Sequence, residues 1–146
     1  RLIEAGYQRI LVTASRQAAV ESLFSMAANE LGMAAHGVEL HHQQGVIEYV
    51  APDRLIRENP RGDLLLVDEA AAIPTPVLIK LLEHYPRIAF ATTVHGYEGT
   101  GLGFNHRFKK HLDQQRPQWR EIQLKTPIRW AMDDPLEQLV FRMLAL

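Results

Sequence analysis

The chain predicts an α/β fold, a parallel sheet with helices on both of its faces. Three observations predict it. Short aliphatic runs alternate with segments of helical period along the 146 residues. The runs show little polar alternation, as strands buried on both faces do. Acids, hydroxyls or glycines follow directly after several runs, where open parallel sheets hold their ligands.

The elements follow in order. RILVTA, 9–14, is apolar with β-branched residues and predicts a buried strand. Ser15 is placed to cap a helix over 16–31, with Val20, Leu23, Phe24, Ala27 and Leu31 on one face and Gly32 as its stop. Residues 33–46 lack periodicity and predict a loop, with a short strand near Val38–Leu40. Residues 46–52 predict another strand, and Asp53 a capped helical turn through Arg57 that Asn59-Pro60 ends.

DLLLVDEA, 63–70, is the clearest strand, and a short helix over 75–85 follows, with Pro76 in its first turn and Pro86 at its end. RIAFATTV, 87–94, predicts the next strand and HGYEGTGLG, 95–103, a glycine-dense loop. A helix is expected over 104–115, a strand over the alternating 119–126, and a last helix from Pro135 with Leu136, Leu139, Val140 and Met143 on one face. There is no internal repeat and no long linker, so 1–146 is expected to be one domain.

Composition narrows the function. With 47% apolar and 23% charged residues, the chain is ordinary for a globular domain. No apolar stretch approaches the roughly 18–20 residues that span a bilayer, so no membrane partner is expected. There is no cysteine, hence no disulfide and no thiolate site, which agrees with an expected cytoplasmic location. The net charge of −1 makes the whole chain a poor trap for nucleic acid. The bases are uneven, however. Arg107, Lys109, Lys110, Arg116, Arg120, Lys125 and Arg129 fall between 105 and 129, against Asp113 and Glu121 alone. That zone is either a solvated surface or a phosphate contact. The histidines lack metal-site spacing, and no G-x-S-x-G surrounds a serine.

The chemistry concentrates at LLLVDE, 64–69. Four aliphatic residues followed by Asp-Glu form the Walker B pattern of P-loop NTPases. There Asp68 would help hold Mg²⁺ through its water ligands, and Glu69 would orient or deprotonate the attacking water. The competing reading is a strand end whose acids cap the following helix. At the end of the next strand Thr92, Thr93 and His95 occupy the place of a γ-phosphate sensor. The glycines after them permit close backbone approach to a ligand, or simply make a surface loop. TASR, 13–16, offers hydroxyls and a guanidinium beside a helix start, suited to phosphate or to plain capping.

Together, LLLVDEAAAIP (64–74), ATTVHGYEGTGLGF (91–104) and TPIRWAMDDPLE (126–137) carry a resemblance. Over essentially its whole length the chain resembles the ATP-dependent RNA helicase-like module of the tRNA(Met) cytidine acetyltransferases, whose eukaryotic relatives also act on ribosomal RNA. The motif at 96–101 is specific, and the run 68–74 nearly so.

The resemblance implies a RecA-like P-loop NTPase-type sheet, with Walker B at 64–69 and a helicase-like loop motif at 92–104. It implies that Asp68 and Glu69 are catalytic, that Asp68 handles Mg²⁺ through water, and that Thr93, His95 and Arg129 sense nucleotide. It implies RNA contacts at Thr13, Ser15 and Arg16, and at Gly96, Tyr97, Glu98, Gly99, Thr100 and Gly101. The implied activity is N4-acetylation of the wobble cytidine of elongator tRNA-Met, from acetyl-CoA bound in a separate domain, with ATP or GTP hydrolysis driving or gating the RNA step.

Two departures stand out. Leu102 occupies a position where arginine is expected in many relatives, and no G-x-x-x-x-G-K-[ST] occurs. The chain begins with Arg1 and reads as a central fragment whose phosphate cradle and P-loop strand lie upstream. Alone it is therefore expected to bind ATP weakly, to be inactive, and to self-associate through unpaired sheet edges. Two other readings stay open. One is a different P-loop ATPase or helicase acting on DNA or protein. The other is a non-catalytic α/β binding domain.

Overall fold

The computed structural model describes residues 2–34, 37–93 and 101–124, the side chains of 101–107 excepted. The chain forms two compact units, 1–93 and 94–146. The first holds a sheet of five strands: β1 (Arg9–Thr13), β2 (Glu39–His42), β3 (Gly45–Tyr49), β4 (Leu64–Val67) and β5 (Ile88–Phe90). Their order is β2-β3-β1-β4-β5, and only the β2–β3 hairpin is antiparallel. The expected mainly parallel α/β sheet is thus present.

Helices α1 (Glu21–Glu30), α2 (Pro52–Glu58) and α3 (Thr75–His84) make the crossovers. From β1 the chain passes through α1 to β3 on one side of β1, then returns through α2 to β4 on the other. Parallel crossovers are right-handed. Reversing direction therefore puts α1 on one face and α2 with α3 on the other, and α2 packs beside α3. The α1 face is a core of Val12, Ala14, Val20, Phe24, Ala28 and Leu40, with Leu66, Ile47 and Tyr49 packed against it. Alternation turns Leu11, Leu65 and Val67 to the opposite face, where they are also buried. Burial on both faces explains why β1 and β4 read as unbroken apolar runs.

Several local expectations change. The segment after β1 enters a 3₁₀ turn, Gln17–Val20, before α1 begins. Arg16 is its extended N-cap, at φ −152° and ψ 150°, with no side-chain cap, so Ser15 does not cap. Nor does Asp53 cap α2. Ala51 holds that place, Pro52 supplies the first position, and Asp53 meets Arg57 at 3.5 Å. Gly32 does end α1. At φ +65° it lets its own N–H reach the Asn29 carbonyl (3.0 Å) and the Met33 N–H reach that of Ala28 (2.9 Å).

In the second unit α4 spans Gly101–Gln115, so Gly101, Leu102 and Gly103 belong to a helix rather than to the predicted loop. Residues 119–124 form no strand. No described residue offers them a ladder, and a strand without one leaves its backbone to water. Ile122 and Leu124 stand 83% and 88% exposed. Lys109 instead ties Glu121 to α4 at 2.7 and 2.9 Å, and the Trp119 indole donates to Asp113 at 2.8 Å. The expected helix from Pro135 lies outside the described residues.

Candidate functional site

The candidate site grows out of the carboxyl end of β4. Its core residues Leu65 and Val67 are at most 1% exposed, so the strand's exit is fixed by packing. Beyond Val67 two further rungs pin the backbone. The Asp68 N–H donates to the Thr13 carbonyl of β1 at 2.8 Å, and the Ala70 N–H donates to the Ala91 carbonyl after β5 at 2.9 Å. Between these anchors Glu69 takes φ 46° and ψ 48°, the left-handed region that side chains avoid. Asp68 Oδ1 accepts the Glu69 N–H at 3.0 Å and helps hold that turn. Strain in a non-glycine residue of this kind concentrates at functional positions.

The geometry answers the capping alternative. Neither Asp68 nor Glu69 makes a side-chain cap to the 3₁₀ turn Ala70–Ala72, and α3 starts from Pro74, also without one. Both acids are half-buried at the rim. The Glu69 carboxylate has no hydrogen bond or ion pair to any described residue. No group of three or more possible metal ligands exists among the described residues. Two adjacent carboxylates, Glu69 unpaired among the described residues and Asp68 with one oxygen engaged, suit Mg²⁺. That ion keeps most of its waters and takes one or two carboxylates together with substrate phosphates.

Around this turn the parallel strands β3, β1, β4 and β5 end on one rim. Ser15 and Arg16 follow β1 and are exposed, available to an anionic ligand. Thr13 is not. It is 0% exposed, which corrects the expectation of a hydroxyl presented to solvent at this strand end. Thr92 is half-buried and donates to the Thr93 carbonyl at 3.4 Å, and Thr93 is exposed. The strand order β1-β4-β5 therefore places Arg16, Asp68–Glu69 and Thr93 in sequence along the rim. His95, Gly96, Tyr97, Glu98, Gly99, Thr100 and Arg129 lie outside the described residues, and Gly101 opens α4. At the neighbouring strand end burial, and then the Asp53 carboxylate, raise the Tyr49 phenol above its ordinary 10.0.

The sheet's opposite rim has different chemistry. The Asp63 carboxylate accepts the N–H groups of Gln8 (2.7 Å) and Arg9 (2.8 Å), and the Tyr85 hydroxyl donates to the Pro60 carbonyl at 3.0 Å. These bonds stitch strand entries together. Sequence reasoning missed the left-handed Glu69, because a glutamate gives no such signal, and the burial of Thr13, which its place in an apolar run does suggest.

Comparison with known proteins is consistent across the chain. A family model described as RNA cytidine acetyltransferase NAT10/TcmA, helicase domain, matches residues 1–146. The tRNA(Met) cytidine acetyltransferase TmcA of Nitrosococcus halophilus is 51% identical over 147 residues, covering 100% of this chain and 20% of that protein. The protein of the same name from Vibrio cholerae is 47% identical over 138 residues, with 94% of this chain and 20% of that protein covered. The one from Thermofilum pendens is 37% identical over 153 residues, with 97% and 19% covered. The chain spans about a fifth of the length of these relatives.

Proposed function

The chain belongs to the helicase-domain family of the RNA cytidine acetyltransferases NAT10/TcmA, and from that premise we propose that it is the nucleotide-hydrolysing, RNA-remodelling module of a tRNA(Met) cytidine acetyltransferase. The observation that carries this reading is the strained Asp68–Glu69 turn at the carboxyl end of a central parallel strand. In this reading 1–146 works as one helicase-type domain of a longer cytoplasmic enzyme.

Asp68 would hold Mg²⁺ through its water ligands, and the ion would supply charge neutralisation on the phosphates. Glu69 orients and deprotonates the attacking water. The rigid exit of β4 keeps its carboxylate in place for that task. Thr93, His95 and Arg129 report the state of the γ-phosphate. Ser15 and Arg16 meet the backbone of elongator tRNA-Met, and the 96–101 motif links the two sites. The nucleotide is ATP or GTP, and acetyl-CoA binds in a separate domain.

Among the described residues β5 pairs with β4 alone. That outer edge is where a strand leading into a P-loop would lie. No G-x-x-x-x-G-K-[ST] occurs in the 146 residues, so in this reading the triphosphate's main cradle would come from outside them. The isolated 146 residues should accordingly bind Mg·ATP poorly in calorimetry, and micromolar affinity would overturn that assignment.

The test separates this reading from a DNA-directed ATPase. Hydrolysis by the full-length protein should rise with tRNA and respond much less to DNA of equal length. Equal stimulation by both would count against it.

A further inference from the structure

Among the described residues, Thr13 Oγ1 is the buried side-chain oxygen without a hydrogen-bond partner. A hydroxyl has one donor and two acceptor sites, and burying them unmet costs stability that an isosteric valine would not lose. A group of this kind calls for an explanation, and a functional state that uses it is one.

The surroundings of Thr13 show which state. It pairs in register with Val67, and its carbonyl already accepts the Asp68 N–H. The adjoining turn is strained at Glu69 and closed by Asp68 Oδ1, an oxygen that a ligand at this site would compete for. If Oδ1 turns toward a ligand, the turn loses that closing bond and needs another.

Resting on the reading of Asp68 and Glu69 given above, we infer that Thr13 is a positioning residue, and that its buried hydroxyl is the alternative hydrogen-bond partner of the Asp68–Glu69 turn when Asp68 Oδ1 leaves the Glu69 N–H. The turn then has two arrangements. In the one seen here Oδ1 closes the turn and Thr13 Oγ1 is unpaired. In the other Oδ1 is free and Oγ1 is bonded. Ser15 and Arg16 come two and three residues after Thr13, beyond the buried Ala14, on the same strand end. A phosphate contact there biases the same turn and couples the RNA step to the carboxylates.

The test uses the full-length protein with Thr13→Val and Thr13→Ser. Thr13→Val is expected to unfold at the same or a higher temperature. Its tRNA-stimulated hydrolysis is expected to fall about tenfold. Its 66–70 segment is expected to lose the change in amide exchange that Mg·ATP produces in the natural protein. Thr13→Ser restores both. Normal hydrolysis with a normal exchange change in Thr13→Val would overturn the inference, as would a Thr13→Ser protein as slow as the valine variant. If Thr13→Val does not fold, the unsubstituted protein still decides. An exchange change at 66–70 on adding Mg·ATP supports the inference, and its absence overturns it. Asp68→Asn separates the two failures. Unchanged hydrolysis there sinks the functional reading itself, while lost hydrolysis beside a normal Thr13→Val sinks this inference alone.

Discussion

The backbone N–H of Asp68 donates to the carbonyl of Thr13 across 2.8 Å, one step past the Thr13–Val67 pair that ends the β1–β4 register. This rung carries the order of the core out to the rim. It fixes Asp68 on the β1 side, the Ala70–Ala91 bond fixes the chain on the β5 side, and Glu69 is left to take the left-handed conformation between them.

That conformation should be measurable as stored strain. Glu69→Gly, which meets no steric penalty at φ 46°, is expected to raise stability in urea by about 1 kcal/mol or slightly less. A β-branched residue at 69 should lower it. Destabilisation by glycine would show that the turn is not strained.

Gly62 should resist any side chain. A Cβ there would stand 2.8 Å from both Leu11 Cγ and Cδ1, and Leu11 is 0% exposed in the β1 core. Gly62→Ala is expected to cost about 1–3 kcal/mol in chemical denaturation. A neutral result would mean that the β1 core yields more readily than its packing implies.

Asp63 sets a pH dependence. The N–H groups of Arg9 and then Gln8 hold its carboxyl below its ordinary 3.8. The folded chain therefore binds this proton less readily than the unfolded chain. The resulting stability is present above about pH 4 and is lost as pH falls through the folded value. Asp63→Asn should unfold at lower urea than the natural chain at neutral pH, and the gap should close in acid. A gap that persists unchanged in acid would assign the effect to something other than the carboxylate charge.

The two apolar patterns of the sequence should differ sharply in consequence. Leu65→Ala, in the buried β4, is expected to cost about 2–5 kcal/mol. Ile122→Ala and Leu124→Ala, at 83% and 88% exposure, should each change stability by no more than about 0.5 kcal/mol. Comparable losses would show that 119–124 is packed in solution.

Those segments also show what could be read from the chain alone. β1 and β4 were legible because strands covered on both faces carry apolar residues in succession, as at 10–12 and 64–67, and the acids after Val67 marked a strand end. β2 was harder. Its edge position lets Glu39, His41 and His42 surround the single buried Leu40, which blurs the pattern. WREIQL alternates as a strand does, but alternation supplies no ladder partner. The Ser15 and Asp53 caps failed because the backbone entered each helix differently, through Arg16 and through Ala51-Pro52. The residue types of the site were readable at Asp68 and Glu69. The left-handed turn that aims them follows from rungs to Thr13 and Ala91, far off in sequence, which no local pattern encodes.

The central claim, that Asp68 and Glu69 exist to manage Mg²⁺ and a hydrolytic water, is tested most directly by nucleotide turnover. The measurement compares the full-length protein with its Glu69→Gln variant, with tRNA present and the nucleotide saturating. Glutamine keeps the size of the side chain and removes the base. The account predicts a loss on the order of 10²- to 10⁴-fold in turnover with the fold intact. Undiminished turnover in Glu69→Gln, repeated in Asp68→Asn, would contradict it.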